Sequence, residues 1–131
     1  KVCLKQGERF FARTGKGNKM KIAYYKGDKT FDIGEGAEKA PEAGEVKVKI
    51  AYCGICGTDQ HIFHGKMDQR VSIPQSIGHE CSGTVVELGE GVDNVAIGDN
   101  VVIRPLDWCG ECPTCKAGHT HICTNLKFMG I

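Results

Sequence analysis

The stretch Val46-Lys47-Val48-Lys49-Ile50-Ala51-Tyr52-Cys53-Gly54-Ile55-Cys56-Gly57-Thr58-Asp59 sets the fold class. Its first seven residues alternate, which puts Val46, Val48, Ile50 and Tyr52 on one face and Lys47, Lys49 and Ala51 on the other. That pattern predicts a strand with one buried and one solvated side. The strand runs into a glycine-bearing turn, and Thr58 or Asp59 is placed to cap a short helix reaching about His64.

Reading upstream, residues 22–25 and 30–33 are β-branched and aromatic and flank Lys26-Gly27-Asp28-Lys29, which predicts a hairpin. Residues 34–44, rich in Gly, Glu and Ala with Pro41, read as a surface connection. Downstream, residues 83–88 and 100–104 read as strands separated by Gly89-Glu90-Gly91 and Gly98-Asp99 turns. Short strands and frequent turns predict a mainly β chain, a barrel or a sandwich. The long amphipathic helices that parallel crossovers require are missing from the pattern.

The chain has 131 residues, is 40% hydrophobic and carries a net charge of +1, enough for one modest core. The charge is uneven: residues 1–19 hold six basic side chains against Glu8. That segment has no serine and no apolar run of signal-peptide length. We read residues 1–19 as leader or extraneous sequence, with Met20 as the natural start and residues 20–131 as the domain. The rival reading is a basic arm for nucleic acid or anionic lipid, weakly supported by Phe10 and Phe11. No apolar run approaches the roughly 18 residues a membrane span needs. The expectation is therefore a soluble cytoplasmic chain without nucleic-acid or membrane partners.

Cys109, Cys112, Cys115 and Cys123 follow a CxxCxxCxxxxxxxC spacing that no helix or strand requires. Tight turns at Gly110, Pro113 and Gly118 can bring four thiolates to about 2.3 Å from one zinc ion, a closed structural site. Paired disulfides are the alternative, disfavoured in a reducing cytosol. His119 and His121 lie in the return loop and can replace one cysteine.

Cys56, Asp59, His61, His79 and Glu80 fall outside that cluster and can build a second metal site of another kind. A zinc held by thiolate, imidazole and one further ligand keeps an open position where it polarises a bound oxygen. Asp59 is close enough in sequence to Cys56 to accept a hydrogen bond from the far nitrogen of a ligating His79. A redox reading of Cys53 and Cys56 as CxxC lacks the βαβ context such pairs use. Cys53 and Cys81 read as small packed hydrophobes, and Trp108 as a cover for the cysteine lobe.

Together, Gly54-Ile55-Cys56-Gly57-Thr58-Asp59 with His61, Gly78-His79-Glu80 and the four-cysteine lobe resemble the zinc-dependent alcohol dehydrogenases of the medium-chain dehydrogenase/reductase superfamily. The resemblance spans Met20 onward and implies a GroES-like, partly open β-barrel with short helices and a zinc lobe. It implies one structural zinc on Cys109, Cys112, Cys115 and Cys123, and one catalytic zinc on Cys56 and His79. Glu80 is then an alternative ligand or a nearby carboxylate, with Asp59 behind the histidine. Thr58 is implied to pass the substrate proton, with His61 near the end of the relay. NAD or NADP would be the cofactor of the full-length parent, a small alcohol or polyol its substrate, and a homo-oligomer its state. Gly57 suggests the polyol, threonine or butanediol branch. The third catalytic ligand of many members lies beyond residue 131. Gly34-Glu35-Gly36 and Gly89-Glu90-Gly91 lack the rest of a dinucleotide fingerprint, so a Rossmann domain is not expected in these residues and the chain alone is expected to be inactive. The non-catalytic alternative is a stand-alone zinc-stapled barrel serving as an interaction module.

Overall fold

The computed structural model describes residues 10–13 and 19–131. The leader reading of residues 1–19 lies largely outside the described residues. Within it, strand β1 (Phe10–Arg13) pairs in parallel with β4 (Val46–Gly54). The alternating segment read from the sequence is one of the two inner strands of a four-stranded sheet ordered β1-β4-β6-β7, with β6 spanning Glu80–Leu88 and β7 Asn100–Val102. Both β4–β6 and β6–β7 pair antiparallel.

The hairpin forms as expected, from β2 (Lys19–Tyr25) and β3 (Phe31–Ala37), and short β5 (Gln75–Ser76) adds to its other edge. Residues 34–37, expected in a connection, instead extend β3. Gly34 and Gly36, paired with Ile22 and Met20, leave room for the side chains of Tyr24 and Ile22, which reach across diagonally from β2. A third, two-stranded sheet joins β8 (Leu106–Asp107) to β9 (Lys127–Phe128). Among the described residues the three sheets remain open and mainly β, with only α1 (Gly57–Phe63), α2 (Pro113–Lys116) and a 3-10 turn at Thr120–Ile122 as helices. None of these helices is long and apolar enough to cross a membrane.

The main core lies on one face of the large sheet, where Val46, Val48, Val85, Val95, Val101 and Ile103 pack together. Each such side chain contributes about 1.5–3 kcal/mol on leaving water. A second cluster gathers Tyr25, Ile62 and Val71 between the hairpin and α1. Val46 and Val48 are buried as expected, but so is Lys47, expected on the solvated face and ion-paired with Glu87. Tyr52, expected inside, is instead 78% exposed. The reason is a bulge: Ile50 and Tyr52 face Gly83 and Ser82, consecutive residues of β6, so Ala51 is an extra residue that reverses the facing of the side chains after it. The strand end is thereby re-aimed, carrying Cys53 and Gly54 toward α1.

Candidate metal centres

Helix α1 begins on Cys56, not on Thr58 or Asp59 as expected. The Cys56 sulfur accepts the Thr58 N–H at 3.2 Å, and the Asp59 carboxylate (Oδ2) accepts the Cys56 N–H at 2.8 Å. This is a capping box with sulfur in the place of a hydroxyl. It fixes the Cys56 side chain at the mouth of the helix and buries Asp59, which is 7% exposed.

His79 reaches the same point from the turn before β6. Its backbone is held by Gly78, whose N–H donates to the Gly130 carbonyl at 3.2 Å, and its ring meets the edge of Phe128 at 5.4 Å. Cys56 Sγ and His79 Nε2 lie 3.2 Å apart, close to the roughly 3.5 Å that two ligands of one tetrahedral zinc would show. On the opposite side of the ring, Nδ1 faces Asp59 Oδ1 at 3.6 Å. Both atoms are buried without a hydrogen-bond partner. A histidine whose Nε2 binds metal must carry its proton on Nδ1, and a small contraction toward Asp59 satisfies both orphans at once. The donor set therefore fits zinc.

Cys56, Asp59 and His79 offer ligand atoms within 4.8 Å of one another. Glu80 is not brought into this group: as the first residue of β6 it is exposed, with its carboxylate folded over Gly54. Thr58 is half-buried on the first turn of α1, and His61, three residues on, is exposed on its last turn. An apolar cavity of about 470 Å³, walled by Phe31, Ile55, Phe63 and Ile77, borders Asp59 and Gly78. Phe128 and Gly130 support His79, a role with no signal in the sequence beyond an aromatic near a glycine.

The second cluster is closed. Cys109, Cys112, Cys115 and Cys123 place their sulfurs within 4.8 Å of one another, and none is in a disulfide. Sulfur separations of 3.5 Å (Cys109–Cys123) and 3.9 Å (Cys112–Cys123) bracket the roughly 3.8 Å expected of tetrahedral zinc thiolates. Short turns produce this: Gly110 and Gly118 adopt φ of 74° and 85°, and Pro113 opens α2 directly after Cys112. The N–H groups of Cys112 and Asn125 point at the sulfurs of Cys109 and Cys123. The Thr114 hydroxyl, with the N–H groups of Cys115 and Thr124, lowers the Cys112 thiol to about 5, while burial beside the other sulfurs pushes Cys115 up to about 12. Four thiols so close cannot all ionise without a cation between them, which is the chemistry zinc supplies. His119 and His121 stay outside the cluster and exposed. Trp108 stacks under the Arg104 guanidinium at 3.7 Å.

Residues 42–131 match the model of the alcohol dehydrogenase GroES-like domain. The chain is 65% identical over 112 residues to the 2-dehydro-3-deoxy-L-galactonate 5-dehydrogenase of Pseudoalteromonas atlantica, a match covering 86% of this chain and 33% of the relative. It is 43% identical over 93 residues to the L-threonine 3-dehydrogenase of Pyrococcus furiosus, covering 70% of this chain and 27% of that one. Among solved structures, the short chain alcohol dehydrogenase RspB of Escherichia coli CFT073, complexed with NADH, superposes with a TM-score of 0.79 at 36% identity, covering 88% of this chain and 33% of that chain. The chain thus spans about a third of the length of these relatives.

Proposed function

Because the chain belongs to the alcohol dehydrogenase GroES-like domain family, we propose that it forms the metal-holding part of a zinc-dependent dehydrogenase that oxidises a secondary alcohol of a polyol or sugar acid with NAD(P). The observation that carries this reading is the meeting of Cys56 Sγ and His79 Nε2 at 3.2 Å with a buried carboxylate behind the imidazole. A sugar-acid substrate is favoured by the 65% identity to a 2-dehydro-3-deoxy-L-galactonate 5-dehydrogenase.

Cys56 and His79 would hold a zinc ion, whose Lewis acidity would lower the proton affinity of a substrate hydroxyl. The chain's own residues do the rest. Once the 3.6 Å gap closes, the Asp59 carboxylate accepts the Nδ1 proton of His79 and so keeps Nε2 free to bind metal. Thr58 and His61 sit three apart on α1 and so share a face, with His61 in solvent. That arrangement lets the Thr58 hydroxyl take the substrate proton and pass it toward His61 and water. Glu80 is the carboxylate in reserve, one residue from His79, and needs a rotamer change to approach the cluster. Cys109, Cys112, Cys115 and Cys123 would hold a second zinc that serves shape alone. The parent acts as a cytoplasmic homo-oligomer.

Metal analysis of the chain and of Cys56→Ala tests the reading. We expect one zinc for each cluster in the wild type and loss of one equivalent in the variant, with the far-ultraviolet circular dichroism retained. A wild type that holds zinc on the cysteine lobe alone points to the non-catalytic module; a variant that unfolds makes Cys56 structural.

A further inference from the structure

Cys53 and Cys81 stand directly opposite each other on β4 and β6. The Cys81 carbonyl accepts its hydrogen bond from Ile103, on the side of the sheet away from β4. In an antiparallel ladder the N–H and C=O of one residue point the same way, so Cys53 and Cys81 form a non-hydrogen-bonded pair. Such pairs bring their Cα atoms to about 4.5 Å and their side chains closest, inside the range that a disulfide spans. The two sulfurs are 3.4 Å apart. Neither belongs to either group of metal-ligand atoms, and neither is used in the proposed reaction. Cys81 is buried in the main core, whereas Cys53 is exposed and lines the apolar cavity. One thiol is therefore open to a small oxidant, and its resolving partner is already in place.

We propose that Cys53 and Cys81 are a peroxide-sensitive dithiol that closes to a cross-strand disulfide. The Cys53 sulfur attacks one oxygen of hydrogen peroxide; an S–O bond forms as the O–O bond breaks, and the departing hydroxide takes the thiol proton as water. Cys53 is oxidised by two electrons to the sulfenic acid and the peroxide is reduced. The Cys81 sulfur then attacks Cys53 Sγ, the S–S bond forms, the S–O bond breaks, and hydroxide leaves with the Cys81 proton as a second water. The bridge ties the strand that leads into Cys56 to the strand that leaves His79. It also removes Cys53 from the cavity wall as a free thiol.

Mass spectrometry of the full chain after limiting hydrogen peroxide, with free thiols alkylated before digestion, tests this. We expect the loss of two hydrogens and a peptide joining Cys53 to Cys81, reversed by dithiothreitol. Cys53→Ser, at an exposed position that the fold tolerates, should abolish both and leave Cys81 alkylatable only after unfolding. A bridge from Cys53 to Cys56 or Cys3 overturns the proposal, as does Cys53 over-oxidised to the sulfinic acid with Cys81 still free.

Discussion

Cys56 Sγ and His79 Nε2 meet at 3.2 Å although 23 residues separate them, and each is delivered by a different device. The capping box of α1 holds the sulfur. A backbone bond from Gly78 to Gly130 and the edge of Phe128 hold the ring. Helix geometry and strand-end geometry thus converge on one point, with Asp59 serving both, as cap for the helix and as the carboxylate facing Nδ1.

Asp59 therefore carries two separable jobs. Asp59→Asn keeps an oxygen for the Cys56 N–H but removes the charge behind His79, and zinc affinity at this cluster should fall by about 10- to 100-fold. Asp59→Ala should lose the cap as well, at about 1 kcal/mol of stability. Chelator competition and urea denaturation of the two variants separate the effects; equal zinc affinity in Asp59→Asn and wild type removes Asp59 from the metal site.

Thr58 should matter to turnover and not to metal content. In a polypeptide that joins this chain to a dinucleotide-binding domain, Thr58→Val should slow alcohol oxidation by about 10²-fold or more, the lower end of what a positioned proton carrier contributes. Thr58→Ser should restore most of it. The backbone N–H of residue 58 still caps on Cys56 in both, so zinc content should not change. A valine variant with wild-type turnover assigns the proton to another path.

The bulge that re-aims β4 depends on a close approach of β6. A side-chain carbon at Gly83 would collide with the backbone carbonyl of Lys49 and with Val48. Gly83→Ala should cost about 1–3 kcal/mol or more in urea unfolding. At Gly57, on the start of α1, an added methyl would meet nothing within 4 Å, and Gly57→Ala should be neutral or stabilise by up to about 1 kcal/mol. Equal stabilities for the two variants contradict the packing account.

Alkaline stability should report on Tyr25. Its ring is fully buried and its hydroxyl donates to Asp68 Oδ1 at 3.0 Å; burial first, then that carboxylate, raise the phenol above its ordinary value. The folded state holds this proton more tightly than the unfolded chain does. Its contribution is intact below the unfolded tyrosine pKa of about 10 and is lost as pH rises through the higher folded value. Tyr25→Phe should retain the fold and lose that alkaline decline in the urea midpoint. Parallel declines in both proteins place the alkaline sensitivity elsewhere.

Local chemistry and local periodicity were legible before any coordinates. Alternation along residues 46–50 identified an inner strand and its core face, and the spacing of Cys109, Cys112, Cys115 and Cys123 identified four thiols that gather because turns at Gly110 and Gly118 bring them back on themselves. Those features are written within a few residues of one another, so the chain's own stereochemistry is enough to read them. Tertiary structure decided the features that depend on pairing across long separations. The extra residue at Ala51 turned Tyr52 outward, and the register of β4 on β6 set Cys53 against Cys81. Packing of residues 128–130 against Gly78 and His79 chose the imidazole as partner for Cys56 and left Glu80 facing Gly54. A one-residue shift in a strand reverses every side chain beyond it, and no pattern within a single segment records which register its distant neighbour will adopt.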